Sequence, residues 1–362
     1  MAKAKGWLQL DVERQKAEAV EEGTPEPATH KMLINGAVVT SPTTFGVTNP
    51  STGEVFAYVP ECTKEQADEA VAGAKEAFKT WRHSSYEERK AVVDKLIEIT
   101  EANSEALTAC LIKEQGKPMS GAGQEIGGCG AFLGGFAGLK VEDTVLKDDE
   151  TEKVVEMHVP LGVIGGICPW NFPLLMAVWK IGESIMTGNT IVIKTSPFTP
   201  LVTNMWAELV ADHIPKGVVN ILSGGNAAGA WLVDHPDIAK ISFTGSIATG
   251  KKIQAAAAKT LKRVTLELGG NDAALVLDDA DPKKVAGEIL GHAMANSGQV
   301  CIAVKRCYVP RAKYDDYIQA FKAAAGEQKV GDGFAEGVTM GPLNNKMQFD
   351  RVCELLEDAK AR

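Results

Sequence analysis

VIGGICPWNFPLLMAVWKIGESIMTGNTIVIKTSP, residues 163–197, is the stretch on which the fold turns. Its two ends, VIGGIC (163–168) and TIVIK (190–194), are short continuous apolar runs, and a helical pattern of apolar residues lies between them. Further strands are predicted at VVNIL (218–222), KISF (240–243) and VTLEL (264–268), most of them separated by helical patterns. Alternation of this kind implies a parallel sheet covered on both faces. A second, shorter alternation begins near Gly270: ALVL, a helix from Pro282 to Asn296, VKRCYV, and a helix around Tyr314 to Glu327.

Upstream, helical periodicity dominates from Lys64 to Leu139, and Asn35-Gly36 between apolar runs in KMLINGAVV predicts a hairpin. TVLKDDETEKVVEMHV (144–159) interleaves polar with β-branched residues and reads as an extended ribbon that needs a partner. The first twenty or so residues read as a charged extension, and the linker-like EEGTPEPATH ends at His30.

With 362 residues, 45% of them apolar, the chain is long enough for two or more domains. A net charge of -9 disfavours nucleic acid or an anionic membrane as a partner. No uncharged run reaches spanning length and no apolar signal segment follows the first lysines, so a cytoplasmic location is expected. The seven cysteines show no CxxC spacing and the six histidines no HExxH, so neither a disulfide framework nor a metal is expected.

An α/β sheet binds ligands at the carboxyl ends of its strands, and the unusual residues follow those strands. CPWNFP (168–173) presents Asn171, either as a cap for the next helix or as an amide donor to an oxyanion. KTSP (194–197) puts an ammonium at a strand end, either solvated or in contact with a nucleotide. FTGSIATG (243–250) leads into a helix, with Gly245 and Ser246 at its N-terminus; its glycines serve a phosphate or simply a tight turn. ELGG (267–270) begins a Gly-Gly turn with a carboxylate, and NSGQVC (296–301) places Cys301 in a loop between helix and strand. Cys110, Cys129, Cys168 and Cys307 read as packing residues.

Taken in this order, PWNFP, the strand-end lysine, FTGS, ELGG and GQVC resemble the NAD(P)-dependent aldehyde dehydrogenase superfamily, from about Met32 to the C-terminus. The resemblance implies a Rossmann-like parallel-sheet cofactor domain (31–142 and 160–269), an oligomerisation ribbon (143–159) and a second α/β catalytic domain (270–362), incomplete here, after an extension of residues 1–30. It implies Cys301 as nucleophile, Glu267 as general base, a role that partial burial raising its pKa would favour, and Asn171 with the Cys301 amide as oxyanion hole. Cofactor contacts are implied for Ile167, Pro169, Trp170, Lys194, Ser196, Pro197, Gly225, Phe243, Gly245, Ser246, Leu268 and Gly269. The expected cofactor is NAD. Many NAD-preferring relatives carry a glutamate where this chain has Pro197, which leaves NADP open. The expected substrate is a small aldehyde, and the retained Glu267 points to a free acid as product. Relatives form homodimers or tetramers, and they continue beyond Arg362, so the chain reads as a truncated member. The competing expectation is a nucleotide-binding or structural protein that keeps the fold without turnover.

Overall fold

A computed structural model of the chain describes residues 29–362. The expected extension of residues 1–30 lies almost wholly outside them. Two hairpins come first, β1 (Met32–Ile34) with β2 (Ala37–Val39), and β3 (Thr44–Thr48) with β4 (Val55–Pro60). Four helices follow: α1 (Lys64–Trp81), α2 (Tyr86–Ala102), α3 (Ser104–Gln115) and α4 (Met119–Ala137). The ribbon is β5 (Thr144–Asp148) with β6 (Lys153–Glu156).

Strands and helices then alternate through β7 (Val163–Ile167), α5 (Pro173–Met186), β8 (Thr190–Lys194), α6 (Leu201–Val210), β9 (Val219–Leu222), α7 (Asn226–Asp234), β10 (Ile238–Thr244), α8 (Ile247–Ala257) and β11 (Arg263–Glu267). Last come β12 (Asp272–Leu275), α9 (Pro282–Met294), β13 (Val304–Tyr308), α10 (Tyr314–Gly326) and α11 (Lys346–Ala361). No helix among the described residues is long and apolar enough to cross a membrane.

The main sheet has the order β11-β10-β7-β8-β9-β1-β2. Its five strands from β7 to β11 are parallel, as the alternation required, but β1 and β2 extend it antiparallel, so the sheet is mixed. The Asn35-Gly36 turn makes that hairpin cheap to form, since both residues sit at positive φ (51° and 77°). The β3–β4 hairpin adds to the expected elements: TFGVT and VFAYVP are joined by the turn NPSTGE, where Gly53 sits at φ 79° and its amide donates to the Asn49 carbonyl at 2.8 Å.

Strands β7, β8 and β9 are buried along their whole length, which explains why they read as continuous apolar runs and not as alternating ones. Two cores result. Leu96, Leu111, Leu133, Ile181 and Trp206 from α2 to α6 cover one face. Ala70, Val71, Leu232 and Ile253 from α1, α7 and α8 cover the other. Helices α1 and α2 begin at capping boxes, Thr63 with Gln66 and Ser85 with Glu88, which satisfy orphan amides reciprocally. Two other helices have no side-chain cap of their own and take an acid from a neighbour. Glu114 of α3 accepts from the Leu201 and Val202 amides at 2.7 and 2.9 Å, opening α6. Burial pushes this carboxyl up to about 8 while those two amides hold it down.

Residues 270–362 are built differently. Their sheet consists of β12 and β13 alone, paired in parallel. The buried apolar side chains described there are Ala286, Ala303 and Tyr317, whereas Leu275, Leu277 and Ile302 stand exposed. This two-stranded sheet therefore has unpaired edges and an uncovered apolar face among the described residues. Cys307, expected to pack inside an apolar strand, is exposed for the same reason: no layer covers β13 on that side.

Candidate active site

The order of the parallel strands puts β7 in the middle, with β8 and β9 on one side and β10 and β11 on the other. Connections leaving β7 and β10 diverge, which opens a crevice at the carboxyl ends of the strands. Register brings the expected residues into one row there: Lys194 beside Ile167, Ile167 beside Phe243, and Thr244 beside Glu267.

Along this row Ile167 is buried, and Pro169 and Trp170 are half-buried in the loop that follows. Lys194 is only 4% exposed, so the solvated reading of this lysine fails. Its ammonium makes no hydrogen bond to any described residue. Burial pushes it down to about 8, with Cys168 and Glu61 acting the other way. Ser196 is buried with its hydroxyl accepting the Phe198 amide at 3.3 Å, and Pro197 is half-buried. Gly225 opens α7 and donates its amide to Glu61 Oε1 at 2.9 Å.

At Gly245 a Cβ would fall 2.5 Å from the ring of buried Phe243, so close packing alone demands glycine there. Ser246 caps α8, its hydroxyl accepting the Thr249 amide at 3.2 Å. The Ile247 and Ala248 amides of that first turn have no acceptor within the helix. Leu268 packs over Gly250, whereas Gly269 is exposed with open space around it.

Asn171 does not cap α5. Its Nδ2 donates to the Gln299 carbonyl at 2.8 Å, across 128 residues, and so joins the main sheet to the loop that carries Cys301. That loop is unusual in its backbone. Asn296, Ser297 and Gly298 lie consecutively at φ 48°, 59° and 77°. Two of them carry side chains, at a cost of about 1 kcal/mol each, and such strain concentrates where a loop must hold one geometry.

The hold is visible. Ser297 donates to the Gly341 carbonyl at 2.8 Å, and Gln299 bonds both the Asn296 carbonyl (2.8 Å) and the Asn344 amide (2.9 Å). Beyond the nucleophile candidate, the Lys305 ammonium collects the carbonyls of Val300, Cys301 and Ala303 at 3.2, 2.7 and 2.7 Å.

The ELGG turn lies against this same loop. A Cβ at Gly270 would come within 2.9 Å of the Cys301 carbonyl. Glu267 is exposed at the end of β11, so the partial burial that would favour it as a base is not found. Asn171, Cys301 and Glu267 are thus gathered by contacts of the segments that carry them.

The sequence profile of the aldehyde dehydrogenase family matches residues 38–362. The chain belongs to that family. It is 41% identical over 324 residues to an aldehyde dehydrogenase of Davidiella tassiana, covering 88% of this chain and 65% of that one. The chain therefore spans about two thirds of the length of the curated relatives it matches. Among solved structures, an NAD+ complex of an aldehyde dehydrogenase from Bacillus cereus superposes with a TM-score of 0.85 at 35% identity, over 92% of this chain and 70% of that one. An NADP dependent enzyme of E. coli superposes with a TM-score of 0.88 at 32% identity, over the same 92% and 70%.

Several residues at the centre of this aldehyde dehydrogenase fold escape a reading of motifs. Lys180 of α5 is buried and donates to the Thr244 hydroxyl at 2.8 Å; burial lowers its pKa, while Cys168, Glu183 and Glu267 raise it. Lys117 and Glu125 form an ion pair with side chains 1% and 0% exposed. The available signal was an isolated charge in apolar surroundings: Glu125 is the one charged residue in MSGAGQEIGGCGAFLGGFA, and Lys180 interrupts PLLMAVWKIG. Gln299 and Asn296 offered none, since polar residues in a loop are ordinary.

Proposed function

We propose that this family member oxidises an aldehyde to the carboxylic acid with a nicotinamide dinucleotide as acceptor. The observation that carries the reading is the 2.8 Å bond from the Asn171 amide to the loop of Cys301. In this reading the Cys301 thiolate adds to the aldehyde carbon. The oxygen, now carrying the negative charge, is held by the second N–H of the Asn171 amide and by the Cys301 backbone amide. A bound dinucleotide supplies the two-electron acceptor that leaves a thioester on Cys301. Glu267 takes a proton from the thiol and releases it to solvent, then takes one from the water that attacks the thioester carbonyl, and Cys301 leaves as the thiolate.

The crevice residues suit such a cofactor. The Lys194 ammonium, on a residue 4% exposed and without a hydrogen bond to a described residue, suits a ligand oxygen. Free amides at the start of α8 suit a phosphate. We assign Ile167, Pro169, Trp170, Ser196, Pro197, Gly225, Phe243, Gly245, Ser246, Leu268 and Gly269 to the same site, Phe243 and Leu268 by packing behind it. NAD is the favoured cofactor. Pro197 places no carboxylate against a 2'-phosphate, so NADP is admitted as well. Residues 31–142 and 160–269 form the cofactor unit, 270–362 the catalytic unit, and the exposed ribbon of 143–159 the contact between subunits of a homodimer or tetramer. Seven unpaired cysteines suit a reducing compartment such as the cytoplasm.

The deciding experiment supplies the purified chain with NAD+ or NADP+ and a panel of aldehydes and follows reduced nicotinamide. Accumulation of reduced cofactor with one equivalent of acid supports the proposal. Calorimetric binding of the nucleotide with no reduction favours the second reading, a fold that binds without turnover. That reading draws on the uncovered apolar face of residues 270–362.

Lys194 adds a test by pH. Its folded-state value of about 8 lies below its ordinary 10.5, so between these the unfolded chain holds more protons and stability of the free protein rises with pH. Nucleotide binding should move the opposite way, because the cation is lost. From about pH 7 to about pH 9 the Kd is expected to weaken roughly fivefold, the difference between a charged and a neutral hydrogen bond. A Lys194→Met chain should show a flat profile, and an unchanged slope in that variant would remove Lys194 from the site.

A further inference from the structure

We propose that the buried Lys117–Glu125 pair is the device that positions Asn171, so that its side-chain amide faces the loop of Cys301. The inference rests on the reading of Asn171 as an oxyanion donor.

The two oxygens of Glu125 divide their work. One accepts from the Leu174 and Leu175 amides at 3.2 Å each, which closes the start of α5 where no side chain of that helix caps it. The other meets the Lys117 ammonium. Lys117 then reaches past Glu125 to the Asn171 carbonyl at 2.9 Å and stands 3.9 Å from the centre of the Phe172 ring. Asn296 fills the remaining lone pair of the Asn171 carbonyl at 3.2 Å. The backbone of residues 171–175 is thereby pinned at three points, the carbonyl of 171 and the amides of 174 and 175. The Asn171 side chain thus springs from a backbone held in place, and from there its Nδ2 reaches the Gln299 carbonyl.

Lys117 is itself anchored. A Cβ at Gly341 would fall 1.8 Å from the Gly116 carbonyl oxygen, and one at Gly333 would fall 2.4 Å from that of Lys117. The turn carrying Lys117 is thus wedged against the segment that also holds Ser297 and Gln299. Stability alone does not account for the pair, because well-packed apolar residues of like volume are commonly as stable as a buried ion pair. Its position behind a functional amide does.

The test compares two reactions of Cys301. Acylation by p-nitrophenyl acetate passes through an oxyanion on the ester carbonyl before p-nitrophenolate leaves. Alkylation by iodoacetamide displaces iodide at a saturated carbon and forms no oxyanion. Both are read on the Cys301 peptide by mass spectrometry, with Cys301→Ala as blank.

In the double variant Lys117→Met/Glu125→Leu, acylation is expected to fall roughly 30- to 100-fold, toward the level of Asn171→Ala, with alkylation within about twofold of the parent. Adding Asn171→Ala to the double variant should cost little more, because both act on one interaction. Glu125→Gln, which keeps an acceptor for the Leu174 and Leu175 amides, carries the same comparison if the double variant does not fold. Its acylation should fall roughly tenfold with alkylation unchanged.

Parent-like acylation in these variants, beside a loss in Asn171→Ala, overturns the proposal. So does a parallel fall of both reactions, which marks general damage to the loop. Parent-like acylation in Asn171→Ala itself would instead defeat the underlying reading of Asn171.

Discussion

Cys301→Ala is expected to stop formation of reduced nicotinamide, a loss of at least about a thousandfold, while nucleotide binding stays as in the parent. The argument is by elimination as well as by position. Burial pushes the Cys62 thiol up to about 12 and the Cys168 thiol up to about 11, and it holds Cys110 and Cys129 well above the ordinary range. None of these four supplies a thiolate near neutral pH.

Cys307 is raised by burial too and sits on β13, and Cys353 is exposed on α11. Cys301 alone stands in the loop that both the Asn171 amide and the Gly270 turn approach. The variant also keeps the fold, because the loop is held through its backbone and through Ser297, Gln299 and Lys305, not through the thiol. Steady turnover by Cys301→Ala with any aldehyde that the parent oxidises would defeat the assignment.

Asn171→Ala is expected to lower kcat by roughly 10²- to 10³-fold, about 3 to 4 kcal/mol, with KM changed far less. The split follows from when the amide acts. At rest one of its N–H groups is engaged with the Gln299 carbonyl, and the other meets charge that exists only after the thiolate has added. An interaction made in the transition state and not with bound aldehyde appears in kcat. Truncation also unties the two units at that point, so some loss of thermal stability accompanies it, on the order of 1 kcal/mol for one hydrogen bond. Steady-state rates at saturating aldehyde, with a melting curve beside them, separate the two. A kcat within twofold of the parent would exclude Asn171 as the donor.

Both predictions concern residues that short motifs already singled out, and the physical reason is that strand ends announce themselves. VIGGIC and TIVIK are apolar throughout because both faces of those strands are covered, and whatever polar group follows must lie at the sheet edge. Sequence by itself therefore determined the parallel core of the sheet, the crevice along its carboxyl edge, the Asn35-Gly36 hairpin, the ribbon, and the candidacy of Asn171, Glu267 and Cys301. The sheet, hairpin and ribbon follow from period, turn chemistry and order along the chain, which are local properties, whereas the three candidate residues were set apart by the resemblance of their motifs to a family.

Tertiary structure decided what depends on which segment meets which. It set the antiparallel extension of the sheet by β1 and β2, the exposure of Glu267 and Cys307, and the packing need behind Gly245. It decided against the helix cap as one of the two readings of Asn171, tying that side chain to Gln299, and it left the start of α5 to Glu125. A lone charge in an apolar helix reads from sequence only as an anomaly. Whether it is buried, and against what, is settled where α4 and the adjoining turn at Lys117 meet the PWNFP loop; Lys117 and Asn171 are 54 residues apart along the chain and touch only when folded.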